Sequence, residues 1–216
     1  MKNMPSLKFS NVISTLSGRT LSKIAKAPSL ASQHSVTVMV VNLYYEDPNL
    51  LAERGFGYLI PQSIPFEQNP ECALGVVFDS DATAGQDTAT GMKVTVMLGG
   101  HWWDGLNTYP DEEEGTAMAR SILLRHLSIS EQPKKVNVSL QKNCIPQYTV
   151  GHDARMKNTH LELMAAYHGR VHVAGSSYTG VGLNDCVRAA RDVVMRIKNE
   201  DQFTGLDDFM AHKAWV

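Results

Sequence analysis

The chain has 216 residues, of which 43% are hydrophobic and 19% are charged, with 20 basic and 22 acidic side chains. That length can bury a sizeable core in one large domain or in parts of two. The net charge is too small to provide a basic field for nucleic acid, and no apolar run is long enough for a membrane-spanning helix. Nucleic-acid binding and membrane-spanning helices are therefore not expected.

The cysteines and histidines do not form a recognisable metal or disulfide pattern. Cys72, Cys144 and Cys186 are odd in number and form no CxxC pair, and no HExxH motif is present. These observations disfavour a disulfide framework and predict that the chain has no metal site.

The first 45 residues contain several basic side chains and many serines, but no acidic residue precedes Glu46. This composition is typical of an organelle transit peptide. The alternative is a basic segment from the interior of a longer protein.

Short segments rich in β-branched and aromatic residues predict strands in the next part of the chain. Because they follow one another closely, we expect an antiparallel or mixed sheet. The predicted strands are Val36–Tyr45, a short one within residues 55–61, Leu74–Asp79, Met92–Leu98 and Lys135–Gln141.

A helix is predicted over Glu112–Leu127, with Met118, Ile122 and Leu123 on its apolar face. The acids at residues 111–114 lie at its N-terminal end, where the helix dipole favours negative charge. We therefore interpret them as a solvated helix start and not as a catalytic carboxylate pair. A second helix is predicted over Asp153–His168.

The last predicted elements are a strand at Arg170–Ala174, a loop at residues 175–182 and a helix over Asn184–Lys198. The apolar residues of this helix are Val187, Ala190, Val193, Val194 and Ile197. Backbone N–H groups at such a helix start can face an anion or an electron-rich ring, and Gly180 and Gly182 would leave room for a flat ligand. On spacing alone, however, a lone GxG is more often a simple turn. The residues after Lys198 are expected to form a polar, loosely packed tail.

No complete dinucleotide-binding motif is present. Residues 55–57 and 180–182 each contain GxG without the third glycine of GxGxxG. Pro146 should redirect the chain after a strand, so that Gln147 and Tyr148 project from a bend; a purely structural corner is the alternative. Cys144 has no base beside it in the sequence, and no catalytic residue is assigned.

Taken together, these segments resemble the protoporphyrinogen oxidases, the flavin enzymes of haem synthesis, and most of all the fungal mitochondrial forms. The most specific strings are KNCIPQY at residues 142–148 and AGSSYTGVGLNDC at 174–186. Further matches are GFGYLIP at 55–61 and KVTVMLGG at 93–100. STLSGRTL at 14–21 resembles family interior, which favours the second interpretation of the basic start.

The resemblance implies an α/β (α+β) fold: the C-terminal part of a two-domain, FAD-dependent amine-oxidase-like fold, with a mixed sheet and a final strand, glycine loop and helix. It implies a helical lead-in at residues 1–30, a substrate-binding domain at 31–142 that includes helix 112–127, and part of an FAD-binding domain at 143–198. Residues 199–216 are the polar tail.

The resemblance also implies roles for particular residues. Gly180, Val181 and Gly182 match the flavin-contacting turn, whereas Phe56, Gly57, Leu59 and Met97 match positions that line the porphyrinogen pocket. The family reaction oxidises protoporphyrinogen IX to protoporphyrin IX with O2 at the mitochondrial inner membrane. The cofactor carries the redox chemistry, so no general base is named.

The N-terminal FAD-binding half of the family has no counterpart in this sequence, and the family's membrane attachment and its cationic contact to a substrate propionate lie there. We therefore expect that the chain alone neither binds FAD stably nor turns over. Two alternatives remain open. The first is another amine-oxidase-like flavin enzyme. The second is a non-catalytic fragment or interaction module, for which exposed apolar faces at Val36–Tyr45 and Val187–Ile197 would promote pairing.

Overall fold

The computed structural model describes residues 7–199 and 201–211. Two compact units divide the chain after Ser35 and after Cys144. We call residues 36–144 the central unit, and the described residues before and after it the split unit. The predicted boundaries at residues 30 and 142 lie near these divisions, and the functions assigned to the predicted domains stay predictions.

The helices and strands are named in chain order. They are β1 (Val12–Ser14), α1 (Gly18–Ile24), β2 (Ser35–Tyr45), β3 (Gly57–Leu59), β4 (Ala73–Val77), α2 (Asp79–Ala82), β5 (Met92–Gly100), α3 (Glu112–Leu127), β6 (Lys135–Pro146), α4 (His152–Tyr167), β7 (Val171–Val173), α5 (Leu183–Lys198) and α6 (Asp208–Ala211). No helix in the described ranges has the length and apolar character needed to cross a membrane.

The central unit is built on a sheet with strand order β3-β4-β5-β2-β6. The β3–β4, β4–β5 and β5–β2 pairs are antiparallel. The register aligns Leu59 with Gly75, Gly75 with Met97, and Met97 with Val40. Because residues paired across a ladder share one face of the sheet, this row runs over four strands on the same side.

The opposite face of this sheet forms the core of the central unit. Alternate residues of β2, from Met39 to Tyr45, are buried there together with alternate residues of β5 and with Ala73 and Val76 of β4. Ile122 and Leu123 of α3 are fully buried in the same cluster, and each contributes about 1.5–3 kcal/mol through burial. The proposed exposure of the apolar face of Val36–Tyr45 is therefore wrong, because α3 covers it.

Helix α3 has the bounds that the sequence predicts, and its start explains the acidic run. The Asp111 side chain accepts a hydrogen bond from the Glu114 N–H at 2.9 Å, and the Glu114 side chain accepts one from the Asp111 N–H at 3.0 Å. This capping box satisfies backbone donors that would otherwise lack partners. The acids are thus structural, as predicted.

The split unit contains a parallel pair of strands, with Val12 opposite Val171 and Ser14 opposite Val173. The prediction of a helical lead-in is only partly right. Helix α1 and a 3-10 turn at Pro28–Ser32 are present, but β1 precedes them. Residues 1–6, including the basic Lys2, lie outside the described residues.

The segment after α5 is packed and not loose, which corrects the prediction for residues 199–216 over its described part. Phe203, Thr204 and Leu206 are buried. The Thr204 carbonyl accepts the Val173 N–H at 2.8 Å, and the Phe203 ring stacks on His172 with centroids 4.2 Å apart. These contacts give the Val173 N–H and the buried His172 ring of β7 partners outside β1.

Candidate functional site

The first candidate region is the loop of the split unit that joins β7 to α5. Gly182 occupies the N-cap of α5, and no side chain caps this end of the helix. The Cys186 N–H bonds the Gly182 carbonyl at 3.0 Å, so the N–H groups of the preceding residues are the donors that the helix geometry leaves available. The 16-residue helix places its positive dipole end at this point.

The glycines of this loop are needed for a reason that the sequence did not reveal. A Cβ atom on Gly180 would lie 2.5 Å from the Cβ of Asp185, and one on Gly182 would lie 3.1 Å from Asp185 Oδ2. Asp185 therefore occupies the Cβ side of both glycines, and the room they would leave for a flat ligand stays a prediction. Arg188 pairs with Asp185 and offsets its charge.

Tyr148 and His152 hold the loop from the side of α4. The Tyr148 hydroxyl donates to the Ser176 carbonyl at 2.7 Å, and His152 Nε2 lies 2.9 Å from the Tyr178 carbonyl. The two rings stack with centroids 3.9 Å apart and an interplanar angle of 11°. Burial raises the pKa of Tyr148 to about 12, although a backbone hydrogen bond from Gly180 opposes this shift. The phenol is consequently a neutral donor at physiological pH.

The opposite side of the loop is bonded to the beginning of the chain. The Tyr178 hydroxyl donates to the Leu16 carbonyl at 2.7 Å, and the Gly18 N–H donates to Ser177 Oγ at 3.3 Å. The Gln33 side chain bonds the Ser177 carbonyl. Tyr178 is fully buried, and this burial raises its pKa. The loop is thus held in one conformation by partners from both ends of the split unit.

Sequence reasoning found only part of this arrangement. It placed Gly180, Val181 and Gly182 in the loop and expected Tyr148 to project from a bend, but it gave His152 no role. The sequence carried no signal for this pair, because Tyr148 precedes α4 and its N-cap Gly151, so the side-chain spacing of a helix does not apply to it.

The outer side of α5 is exposed. Val187 and Val194 are 61% and 56% exposed, whereas Val193 is buried. The expected exposure at Val187–Ile197 is therefore only partly right, because Val193 packs with Ala174 and Phe203 and Ile197 packs against that cluster.

The second candidate region is the outer face of the central sheet. Leu59 and Met97 lie on it in the same row, on either side of Gly75. A Cβ atom on Gly75 would lie 2.5 Å from the Tyr58 carbonyl oxygen and 3.0 Å from Leu59 Cδ2, so this glycine lets β3 approach β4 closely. Leu59 is nevertheless 78% exposed, as a residue offered to an external apolar ligand would be.

Gly57 and Phe56 enter this face from the neighbouring loop. Gly57 has a φ of 132°, and a Cβ atom there would collide with the carbonyl oxygen of Val76. Its immediate role is therefore a close approach of two strands. Phe56 is 72% exposed, and its carbonyl accepts the Phe78 N–H at 2.9 Å. Of the four predicted substrate residues, Gly57, Leu59 and Met97 thus share one face.

Asp81 fixes the loop that carries Phe56. One carboxylate oxygen accepts from the Arg54 guanidinium at 2.6 Å, and the other accepts from the Gly55 N–H at 3.0 Å. The Arg54 hydrogen bond, together with that from Gly55, lowers the pKa of Asp81. The charged carboxylate is the form that this clamp favours.

A row of polar side chains crosses the same sheet face. Asn137 Nδ2 donates to Asn42 Oδ1 at 3.3 Å, and Asn42 Nδ2 donates to Thr95 Oγ1 at 2.7 Å. The Thr95 hydroxyl donates to Asp79 Oδ2 at 2.7 Å. Burial raises the pKa of Asp79, against the opposing effect of the Thr95 bond. Nothing in the sequence pattern indicated this row, because its members come from four separate elements.

Known proteins resemble this chain in sequence and in fold. No family model matches the chain. A protoporphyrinogen oxidase of Schizosaccharomyces pombe is 38% identical over 183 residues, which cover 83% of this chain and 36% of that protein. The Homo sapiens protoporphyrinogen oxidase is 35% identical over 202 residues, covering 89% of this chain and 41% of that protein. Over most of its length, the chain is homologous to protoporphyrinogen oxidase.

The chain spans about two fifths of the length of these protoporphyrinogen oxidases. A crystal structure of a provisionally assigned protoporphyrinogen oxidase from Exiguobacterium superposes with a TM-score of 0.70 at 21% identity, covering 88% of this chain and 41% of that chain. This similarity confirms the predicted α/β fold class, with its parallel pair β1–β7 and the antiparallel pairs β3–β4, β4–β5 and β5–β2.

Proposed function

We propose that this chain is part of an FAD-dependent oxidase that converts protoporphyrinogen IX to protoporphyrin IX with molecular oxygen, in porphyrin biosynthesis at the mitochondrial inner membrane. The proposal is carried by the 38% identity to the S. pombe protoporphyrinogen oxidase over 83% of this chain. The apolar row of the central sheet, in which Leu59 is exposed and Met97 is partly buried, and the fixed loop before α5 support it.

The central unit would bind the tetrapyrrole. Leu59 and Met97 form an apolar surface on one sheet face, and the exposed Phe56 lies at the end of β3. A large, mostly apolar ring is bound by contact with such aliphatic, thioether and aromatic groups. Gly57 would act indirectly, because its missing side chain lets β3 pair with β4. The protein would thereby orient the substrate and exclude water.

The split unit would hold the flavin at residues 180–182. The N–H groups at the start of α5 suit an electron-rich ring edge, since no side chain caps them and the helix dipole is positive there. When bound, the flavin would accept electrons from the tetrapyrrole and pass them to oxygen. The residues at 180–182 would position the ring, and Tyr148 and His152 would keep the loop in place.

The proposal is tested by producing this chain alone and together with a polypeptide that matches the remaining length of the S. pombe relative. After desalting, flavin absorbance and the fluorescence of newly formed protoporphyrin are measured. We expect neither signal from the chain alone and both from the pair. Flavin retained stoichiometrically by the chain alone would contradict the expectation that it does not bind FAD.

Two variants test whether Met97 contacts the substrate, and the activity of the pair separates this function from its alternatives. Met97→Ala should raise the KM for protoporphyrinogen, whereas Leu124→Ala, an exposed position on α3, should leave it unchanged. Turnover of simple amines and not of protoporphyrinogen by the pair would favour another amine-oxidase-like enzyme. A pair without flavin or activity would favour a non-catalytic interaction module.

A further inference from the structure

Strand β7 of the split unit uses only one of its two edges to pair with β1. The Ala174 N–H donates to the Ser14 carbonyl of β1 at 3.1 Å. Because backbone groups alternate in direction along a strand, Val171 and Val173 direct theirs to the opposite edge. We call this opposite edge the outer edge of β7.

The burial of β7 is that of an interior strand. His172 is fully buried, and Val173 and Ala174 are 1% and 2% exposed. Strands buried in this way are typical of parallel sheets whose faces are covered, and such sheets usually contain about four to six strands. In the described residues the sheet of β7 contains β1 and no further strand. The outer edge is therefore the place where another strand would pair.

Residues 202–207, which we call the strap, lie along this outer edge. The Thr204 carbonyl accepts the Val173 N–H at 2.8 Å. The Phe203 ring stacks on His172, and the Phe203 carbonyl lies 3.1 Å from His172 Nδ1. The strap thus takes the position of a strand neighbour.

The strap is nevertheless an incomplete replacement for a strand. A Cβ atom on Gly169 would lie 3.0 Å from Gln202 Cα, so the strap starts beside the beginning of β7 and runs in the same direction. Within the described residues, however, no hydrogen bond across this edge reaches Val171 or the Val173 carbonyl. A parallel strand would bond these groups as well.

Side-chain contacts provide most of the hold on the strap. Asp207 Oδ2 accepts two N–H groups of the strap, each at 3.2 Å. Arg196 of α5 pairs with the same carboxylate at 3.1 Å and lies over the Phe203 ring, 5.5 Å from its centroid. His160 Nδ1 lies 2.9 Å from Thr204 Oγ1. Because the side chains of Arg196 and Asp207 are 40% and 23% exposed, water competes for this pair and the hold is reversible.

We propose that the outer edge of β7 accepts a parallel strand from the rest of the oxidase, and that the strap covers this edge until that strand pairs. The inference rests on the proposed function, which makes this chain part of a longer protein. The chain spans about two fifths of the length of the protoporphyrinogen oxidases that it matches, so the remaining length can supply the strand. The exchange favours the strand, because it bonds both Val171 and Val173.

The test follows amide hydrogen exchange in the complete chain, alone and with a companion polypeptide that matches the remaining length of the S. pombe relative. Two segments are compared, residues 170–174 of β7 and residues 202–207 of the strap. When the companion binds, we expect exchange to become slower in the first segment and faster in the second. This measurement requires no flavin and no turnover.

Asp207→Ala should release the strap and favour the complex. We expect exchange at Val173 in the chain alone, and affinity for the companion, to rise about tenfold, equivalent to about 1.4 kcal/mol. Asp208→Ala removes the same charge from the adjacent residue, whose side chain is 91% exposed, and should behave as wild type. Arg196→Met is the second variant and should repeat the result, with Arg191→Met on the exposed side of α5 as its control. Circular dichroism confirms that each variant is folded.

Three outcomes would overturn the proposal in distinguishable ways. A strap that stays protected in the complex, with unchanged exchange at residues 170–174, would refute the strand exchange and leave the proposed function intact. Self-association of the Asp207→Ala chain in light scattering, without binding of the companion, would assign the outer edge to a second copy. If neither wild type nor Asp207→Ala binds the companion, the strand exchange and the assembly assumed by the proposed function both fail.

Discussion

Tyr148 lies flat against the imidazole of His152, with ring centroids 3.9 Å apart, and both residues hydrogen-bond the loop that precedes α5. Tyr148 bonds the Ser176 carbonyl, and His152 contacts the Tyr178 carbonyl. The stacked pair therefore connects the start of α4 to the proposed flavin loop.

Removing the Tyr148 hydroxyl should loosen this loop while preserving the ring stack. Tyr148→Phe loses the 2.7 Å bond to Ser176 and the contact with the Gly180 backbone, at a cost of about 1 kcal/mol. We expect faster amide hydrogen exchange over residues 176–182 and little change in the central unit. Tyr44→Phe, which loses a bond to Thr90 in the central unit, is the control. Equal exchange in the Tyr148→Phe variant and wild type would contradict the role of this hydroxyl.

His152 should make stability depend on pH. Burial lowers its pKa below the ordinary value of 6.5, against the effect of its bond to Tyr178, so the unfolded chain takes up the proton first as pH falls. The stabilisation is complete above pH 6.5 and is lost as pH falls through the folded-state pKa.

His152→Phe keeps a stacking partner for Tyr148 and removes this titration. The loss of unfolding free energy between about pH 7.5 and about pH 5.5, measured by chemical denaturation, should be smaller in the variant. His172, whose pKa burial also lowers, preserves part of the slope. An unchanged pH dependence would show that His152 does not contribute.

Gly180 and Gly182 should differ in their tolerance of a methyl group. A methyl at Gly180 meets Asp185 at 2.5 Å, whereas one at Gly182 meets only the end of that side chain at 3.1 Å. We expect Gly180→Ala to destabilise the split unit by about 1–3 kcal/mol through overpacking, and Gly182→Ala to cost less. Thermal unfolding of both variants provides the comparison, and an equal cost would refute the structural reason given for Gly180.

Gly57→Ala should destabilise the central unit, because its φ of 132° is strained for alanine and the methyl group collides with the Val76 carbonyl. The expected loss is about 2–4 kcal/mol. Gly55→Ala is the control for the collision, since its φ of 159° is also unfavourable for alanine but its Cβ position is free of neighbours within 4 Å. A Gly57→Ala variant as stable as wild type would contradict this structural reason for the glycine.

Local periodicity predicted the regular elements well where packing agreed with it. Helix α3 has the predicted bounds, and β2 differs from the predicted strand by one residue at its start. Strand β1 was missed because three residues carry too little pattern, and their partner β7 is distant in sequence. The burial of Phe203 and Leu206 was missed because two apolar residues in a mostly polar segment form no periodic pattern.

The amino-acid sequence by itself determined the turn at residues 180–182 and the helix after it. It also carried the resemblance that assigns this turn to flavin contact. Tertiary structure decided how they are used: Asp185 fills the space beside Gly180, and Tyr148 and His152 hold the loop. It also placed Leu59 and Met97 in one row, on the sheet face that carries the polar row of Asn42, Thr95 and Asp79. Turns and helices follow from neighbouring residues, whereas these contacts join residues far apart in the chain and exist only once strand register and packing are set.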